Sequence, residues 1–323
     1  MGWPRPVALA TSLLTGVLVA VGCVLAVLAP SRGSLIVLGL GLAVAPASAA
    51  LGVVITRRRP RSPVGALLAL VGLAFALNAT RDIGWWYLAE HSPRSLPALD
   101  WLAALTDQSA AWVYVSVALL LLYFPDGALP GPRWRWIPPT LIACGVIDHI
   151  GTAFDTLPFR APLQDVPRPW PPLPLWLGAP VLLAFVGELL LVLVCAASLV
   201  VRFRRAGRIE RAQIKWLALA GVAIPLYPVA CLLEIVLWGR PWWVSGTIGA
   251  IGLIGIPVAT AVAMLHHNLY DVDKALAAAV TYGLVSAVLV GIYALASAVG
   301  GVLFGRESTV AAAAATALCA AAL

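Results

Sequence analysis

The sequence predicts an all-α, polytopic transmembrane helical bundle of about ten spans, and three observations support that reading. Of 323 residues, 62% are hydrophobic and only 11% charged, with a mean hydropathy of +0.96, far outside the range of soluble domains. The apolar runs are ~20 residues long and lack period-2 alternation. In a solvent without hydrogen-bond partners, such runs close their own backbone bonds as helices rather than as a barrel. The third observation is the stretch Val201 to Trp216, VRFRRAGRIERAQIKW. It sets six cations (Arg202, Arg204, Arg205, Arg208, Arg211 and Lys215) and one acid, Glu210, between two long apolar runs. Charges are costly in hydrocarbon, and cytoplasmic loops collect Lys and Arg within ~15–20 residues of span ends, so this loop is expected in the cytoplasm and orients the rest.

The elements then follow in order. Arg5 precedes an uncharged run longer than the ~7–15-residue core of a signal peptide, so the first span is expected over 7–29. Span 2, 34–56, stops on Arg57-Arg58-Arg59-Pro60-Arg61. Span 3, 64–80, ends at an outer interface marked by Arg81, Asp82, Trp85, Trp86 and Tyr87, with Arg81 and Asp82 expected to pair. Span 4, 108–124, is short and closes on the turn signature Pro125-Asp126-Gly127. Arg133 and Arg135, flanked by Trp134 and Trp136, lead into span 5 at 136–154. The segment 155–174 holds seven prolines and cannot be a regular helix, so an ordered, irregular outer cap is expected there. Spans 6 and 7, 175–201 and 214–238, flank the basic loop; spans 8 and 9 are expected at 244–265 and 277–304.

A tenth run covers 309–323, only about 22 Å of helix against a ~30 Å hydrocarbon core, so the chain is expected to stop inside a span headed for the cytoplasm. This scheme places fourteen of the 21 Lys and Arg residues on the inner side, where they cluster, and both termini in the cytoplasm.

Ionisable groups inside spans are costly and usually face a bundle interior or a wet cavity, which singles out Glu188, Asp148, His149 and Glu234. All four fall at mid-depth or in the outer half, so together they can line an acidic, histidine-containing pocket suited to a proton, a cation or a basic ligand. The competing reading is interfacial: Asp148 and Glu234 snorkel to water, and the adjacent Asp148 and His149 point about 100° apart. Both readings stay open on sequence alone.

Other chemistries find little support. The five cysteines (Cys23, Cys144, Cys195, Cys231 and Cys319) sit singly in apolar runs, which predicts neither a disulfide framework nor a metal site. No metal and no cofactor is expected, and His266 and His267 read as interfacial anchors. The net charge of +7 is explained by topology signals and anionic-lipid contacts, so the lipid bilayer is the expected partner and nucleic acid is not. No phosphate-binding loop, zinc-protease, nucleophile-elbow or kinase signature is present, and no catalytic residue is assigned. Pro225, Pro228 and Pro257 can kink their spans in the manner of transporters, but no inverted repeat accompanies them.

Three stretches bear a family likeness. Arg59-Pro60-Arg61-Ser62-Pro63-Val64-Gly65 enters a span. Leu122-Tyr123-Phe124-Pro125-Asp126-Gly127-Ala128-Leu129-Pro130-Gly131-Pro132-Arg133-Trp134 links two. Leu265-His266-His267-Asn268-Leu269-Tyr270-Asp271-Val272-Asp273-Lys274, followed by Thr281-Tyr282-Gly283-Leu284, joins spans 8 and 9. In order and topology they resemble the membrane-embedded sensor regions of actinobacterial two-component sensor histidine kinases, over about 57–304.

The resemblance implies a signal-input role at the plasma membrane, a homodimer, and a response regulator reached only through a kinase portion that these 323 residues do not contain. It also makes Tyr270, Asp271, Asp273 and Lys274 candidates for signal relay. On their own physics, the two acids precede a helix whose N-terminus they favour and Tyr270 anchors at the interface, which equally suits a capped re-entry turn. The alternatives are a small-solute or ion transporter built around Glu188, and a stand-alone membrane protein that docks a separate partner.

Overall fold

The protein's structure, a computed structural model, describes residues 4–29, 32–91, 99–107, 109–154, 158–159, 162–171 and 173–207, with isolated positions between 211 and 260. Regular structure among the described residues is helical, with no strand. The helices are α1 (Pro4–Leu28), α2 (Arg32–Arg58), α3 (Val64–His91), α4 (Leu99–Thr106), α5 (Ala111–Tyr123), α6 (Ile137–Ala153) and α7 (Leu175–Arg205), with a 3-10 turn at Pro132–Trp136 before α6. Four stretches, Pro4–Leu28, Val64–His91, Leu99–Tyr123 and Trp176–Arg205, are long and apolar enough to cross a membrane. The chain is a helical membrane protein.

One expected boundary shifts, and one helix appears that the sequence does not place. α3 does not stop at Thr80 but runs on to His91, since no proline interrupts its 28 residues. α5 matches the expected fourth span at 108–124, but a short helix, α4, precedes it and ends at Thr106 before α5 begins at Ala111. Arg81 explains the break. Its Nη1 donates to the carbonyls of Thr106 (2.6 Å) and Asp107 (3.0 Å) and to Ser109 Oγ (2.5 Å), taking the acceptors that end α4. Its Nε and Nη2 bind Asp82 Oδ1 at 2.9 and 2.5 Å, so the pairing expected from sequence is present, inside a helix rather than beyond its end. Asn78 adds a bond from Nδ2 to the Ser109 carbonyl (3.1 Å).

The helices alternate in direction. The start of α1 meets the start of α3 (Ala8 with Ala66 and Ala69), and the far part of α1 meets the second half of α3 (Ala26 with Ile83). α1, α2 and α3 form one group and α5, α6 and α7 a second, joined where α5 packs against α3. α5 is buried on every side from Val115 to Leu122, as an apolar-all-round helix must be. It is the axis of the main core, to which Leu68 and Val71 of α3, Leu141 of α6, and Val192 and Leu199 of α7 contribute. By contrast, α1 turns Leu13, Val17, Val24 and Val27 outward, the face expected of a helix that meets lipid.

Lipid tails are as apolar as leucine, so helices associate by close fit and interhelical hydrogen bonds rather than by escape from solvent. The α2–α3 seam shows this. A Cβ on Gly52 would lie 2.5 Å from the Gly65 carbonyl, one on Gly65 would lie 2.6 Å from the Gly52 carbonyl, and one on Gly72 would lie 2.7 Å from the Ala45 carbonyl. The two backbones touch. Ser12 Oγ donates to the Ala49 carbonyl (3.1 Å) and Thr80 Oγ1 to the Leu18 carbonyl (2.9 Å), tying α1 to both neighbours.

The proline-rich cap is ordered where described, and packing holds it rather than backbone ladders. Phe159 and Leu163 are buried against Ala103, Ala104 and Ala153. Trp170 packs edge-on to Trp101 (centroids 4.4 Å apart) and against Phe154 (5.0 Å). Arg168 lies 3.9 Å over the Phe159 ring and bonds Asp107 Oδ2 through Nη2 at 2.9 Å. The Arg168–Asp107 side chains are only 12% and 17% exposed, so Arg168→Ala is expected to cost about 2 kcal/mol of unfolding free energy in neutral detergent. Arg168→Lys should recover less than half of that, because an ammonium replaces neither the planar stack nor the fork. Full recovery by lysine would show that charge alone matters there.

Candidate functional site

α5, α6 and α7 converge on a buried acidic site. The inward face of α6 is Leu141, Gly145, Asp148 and Gly151, a helical period that interleaves small residues with one acid. Gly145 has no side chain to hold its neighbours off. A Cβ there would stand 2.8 Å from Val115 Cγ2 on α5 and 3.9 Å from Glu188 Oε2 on α7. Next to it, Cys144 Sγ faces Gly187 at 3.4 Å from where a Cβ would be. Gly151 meets the Val181 side chain. The glycines are what allow an acid on α7 to reach α6.

Glu188 is 3% exposed and Asp148 4%, on the packed helices α7 and α6. Glu188 Oε2 has no hydrogen-bond partner among the described residues. Nor does Nδ1 of His149, whose ring tilts against Trp112 of α5 with centroids 6.1 Å apart. Glu188 lies thirteen residues into the 31-residue α7, roughly 20 Å along it at 1.5 Å per residue and so near the middle of the helix. Two carboxylates there repel strongly because the dielectric is low, and a proton or a cationic group between them removes the repulsion. Among the described residues no group of three His, Cys, Asp or Glu stands close enough to hold a metal ion.

Asp148 and Glu234 are both buried in the structure. Neither snorkels: Asp148 is buried in the site above, and Glu234 is 2% exposed. The face of α6 that bears Asp148 turns toward α5 and α7. His149 stays half-buried on the neighbouring face, beside Trp112, as the 100° step between adjacent residues requires. Sequence reasoning missed Trp112 because an aromatic one turn into a span looks like any interfacial anchor.

At the opposite end, three separate sequence motifs meet. Arg202, in the last turn of α7, bonds Asp126 Oδ1 through Nη1 at 2.7 Å and the Leu122 carbonyl through Nη2 at 3.0 Å, and also donates to the Ala128 carbonyl. One guanidinium thereby caps α5 and clasps the turn after it. Within that turn the Phe124–Pro125 peptide is cis and Gly127 has φ +82°, a left-handed conformation that glycine adopts freely. A Cβ on Gly127 would also lie 2.6 Å from both Pro63 Cδ and Ser62 Oγ, so the 59–63 loop rests directly on the turn. Arg57, Arg58, Arg59, Arg61, Arg133, Arg135, Arg204 and Arg205 are exposed around this junction. Arg211 folds back, with Nε on the Phe203 carbonyl at 3.2 Å.

The remaining sequence candidates fall elsewhere. Arg208, Lys215, Tyr270, Asp271, Asp273 and Lys274 lie outside the described residues, as do spans 9 and 10 and most of spans 7 and 8. Cys23, Cys144 and Cys195 are free thiols. Compared with known families, curated proteins and solved structures, the chain finds no match in any of the three.

Proposed function

We propose that this chain is the signal-input region of a membrane sensor, similar to that of a two-component histidine kinase, spanning the plasma membrane about ten times with both termini in the cytoplasm. In this reading, protonation or occupation of the Glu188–Asp148 site repacks α6 and α7. α7 leads from that site to the arginine-rich end, where Arg202 clasps the 124–128 turn and the 59–63 loop rests on it. A cytoplasmic kinase, working as a homodimer and acting on a response regulator, would read the change. The observation that carries the proposal is that one helix, α7, bears both Glu188 and Arg202. A shift at the buried acid therefore moves the clasp without any further mechanical part.

A transporter is the second reading, favoured by the same Glu188 Oε2, unpartnered among the described residues near the middle of α7. Glu188→Gln separates the two, since it keeps the shape and removes the charge. For a sensor, phosphorylation of the cognate response regulator in host membranes should change about tenfold or become independent of stimulus, while proteoliposomes show no solute or proton flux in either form. For a transporter, flux is present and the substitution abolishes it. If both readouts match the unsubstituted protein, Glu188 is a satisfied core residue and the proposal fails.

A further inference from the structure

The junction at the arginine-rich end is flanked by two open hollows that share one acid. One, about 180 Å³, lies between the 125–130 turn and the end of α7 and is lined by Asp126, Arg202 and Arg205 with apolar walls from Leu129, Val201 and Ile214. The other, about 560 Å³, lies across Asp126 and is bounded by Arg59 and Arg61. Among the described residues, four arginines thus surround a single carboxylate, and that carboxylate is already held by Arg202. Arg205 is exposed at the rim, and Nε of Arg202 is buried without a hydrogen-bond partner among the described residues. An excess of fixed guanidinium donors beside apolar walls, at the level where apolar helices end, matches an amphiphile with an anionic oxygen head.

We propose that the smaller hollow binds the phosphodiester of an anionic phospholipid, with Arg205 as the primary cation, Arg202 as the buried second donor, and Leu129, Val201 and Ile214 against the glycerol and first acyl carbons. This site does not depend on the sensor reading. It would operate equally in a transporter, because it needs only the geometry of the α5 turn and α7. The bound head lies against the Asp126–Arg202 pair, so lipid composition acts on the clasp directly.

Native mass spectrometry of the full chain in neutral detergent tests this with phosphatidylglycerol as probe and phosphatidylcholine as the uncharged reference. Phosphatidylglycerol should be retained in preference, and Arg205→Gln should weaken it about fivefold, the scale of one cation at an anionic headgroup. Asp126→Asn should strengthen it, since it removes the only acid among the described residues lining the hollow while keeping an acceptor for the Ala128 amide (3.2 Å). Arg133→Gln with Arg135→Gln, at the same end but outside both hollows, should change it less than Arg205→Gln does. Displacement by inorganic phosphate would support the anion site with free phosphate as its source; persistence of the lipid against phosphate would support the lipid. Equal losses in the Arg205 variant and in the Arg133 and Arg135 control would overturn the site in favour of diffuse charge, as would equal retention of the two lipids.

Discussion

Gly65→Ala is expected to destabilise the protein by about 1–3 kcal/mol, even though alanine is the better helix former by roughly 1 kcal/mol. The reason is contact with main chain. A Cβ at Gly65 meets the Thr56 hydroxyl, the Thr56 backbone nitrogen at 2.7 Å and the Gly52 carbonyl at 2.6 Å, and backbone atoms cannot rotate away as a side chain can. α2 must then back off along the seam, losing dispersion contacts that solvent exclusion does not replace in lipid. Gly16→Ala supplies the sign control, because no atom lies within 4 Å of its Cβ position on the outer face of α1. It should be neutral or stabilising by up to about 1 kcal/mol. Thermal unfolding of both variants in one detergent checks this. A Gly65→Ala protein as stable as Gly16→Ala would mean that α2 and α3 do not touch through their backbones. Gly65→Leu should exceed the alanine cost and is expected to block folding.

The second large effect is Arg202→Ala, expected to cost about 2–4 kcal/mol. The guanidinium side chain is 9% exposed, and its removal strips the donor from the Leu122 carbonyl, the Ala128 carbonyl and Asp126 at once. Asp126→Ala should cost less, about 1 kcal/mol, because that carboxylate is 54% exposed and water replaces part of the pair. The two losses should not add, since the double variant no longer strands an acid without its arginine. Arg204→Ala, an exposed neighbour in the same helical turn, is expected to change stability by no more than about 0.5 kcal/mol. If Arg202→Ala behaved like Arg204→Ala, the cap on α5 would be carried by backbone and solvent, and α7 would lack its grip on the turn.

Helical class and membrane residence were legible because they depend on composition and run length, which need no partner to be read. The breaks at Arg57–Arg61, at Pro125–Gly127 and at the Arg202 cluster appear where the sequence places them, since charge and proline act locally. The length of α3 past Thr80 and the separate helix α4 before the expected fourth span were not legible. The α4–α5 break follows from Arg81 reaching carbonyls 25 and 26 residues away. The same holds for the candidate site. Sequence singles out Glu188 and Asp148 because charge in an apolar run is rare, yet whether they snorkel or turn inward depends on what packs beside them. The absence of a Cβ at Gly145 lets Glu188 of α7 approach α6, and no spacing along one helix reports that.

The sequence by itself determined that the chain is helical and built for lipid, where its charges gather, and which buried acids are unusual. These are properties of residue chemistry and of distance along one chain. Only the tertiary structure decided that Asp126 belongs to Arg202, that the 59–63 loop rests on Gly127, and that α2 and α3 meet backbone to backbone. Each of those contacts joins residues far apart in sequence, and their energies depend on angstrom-scale fit, which a one-dimensional pattern does not encode.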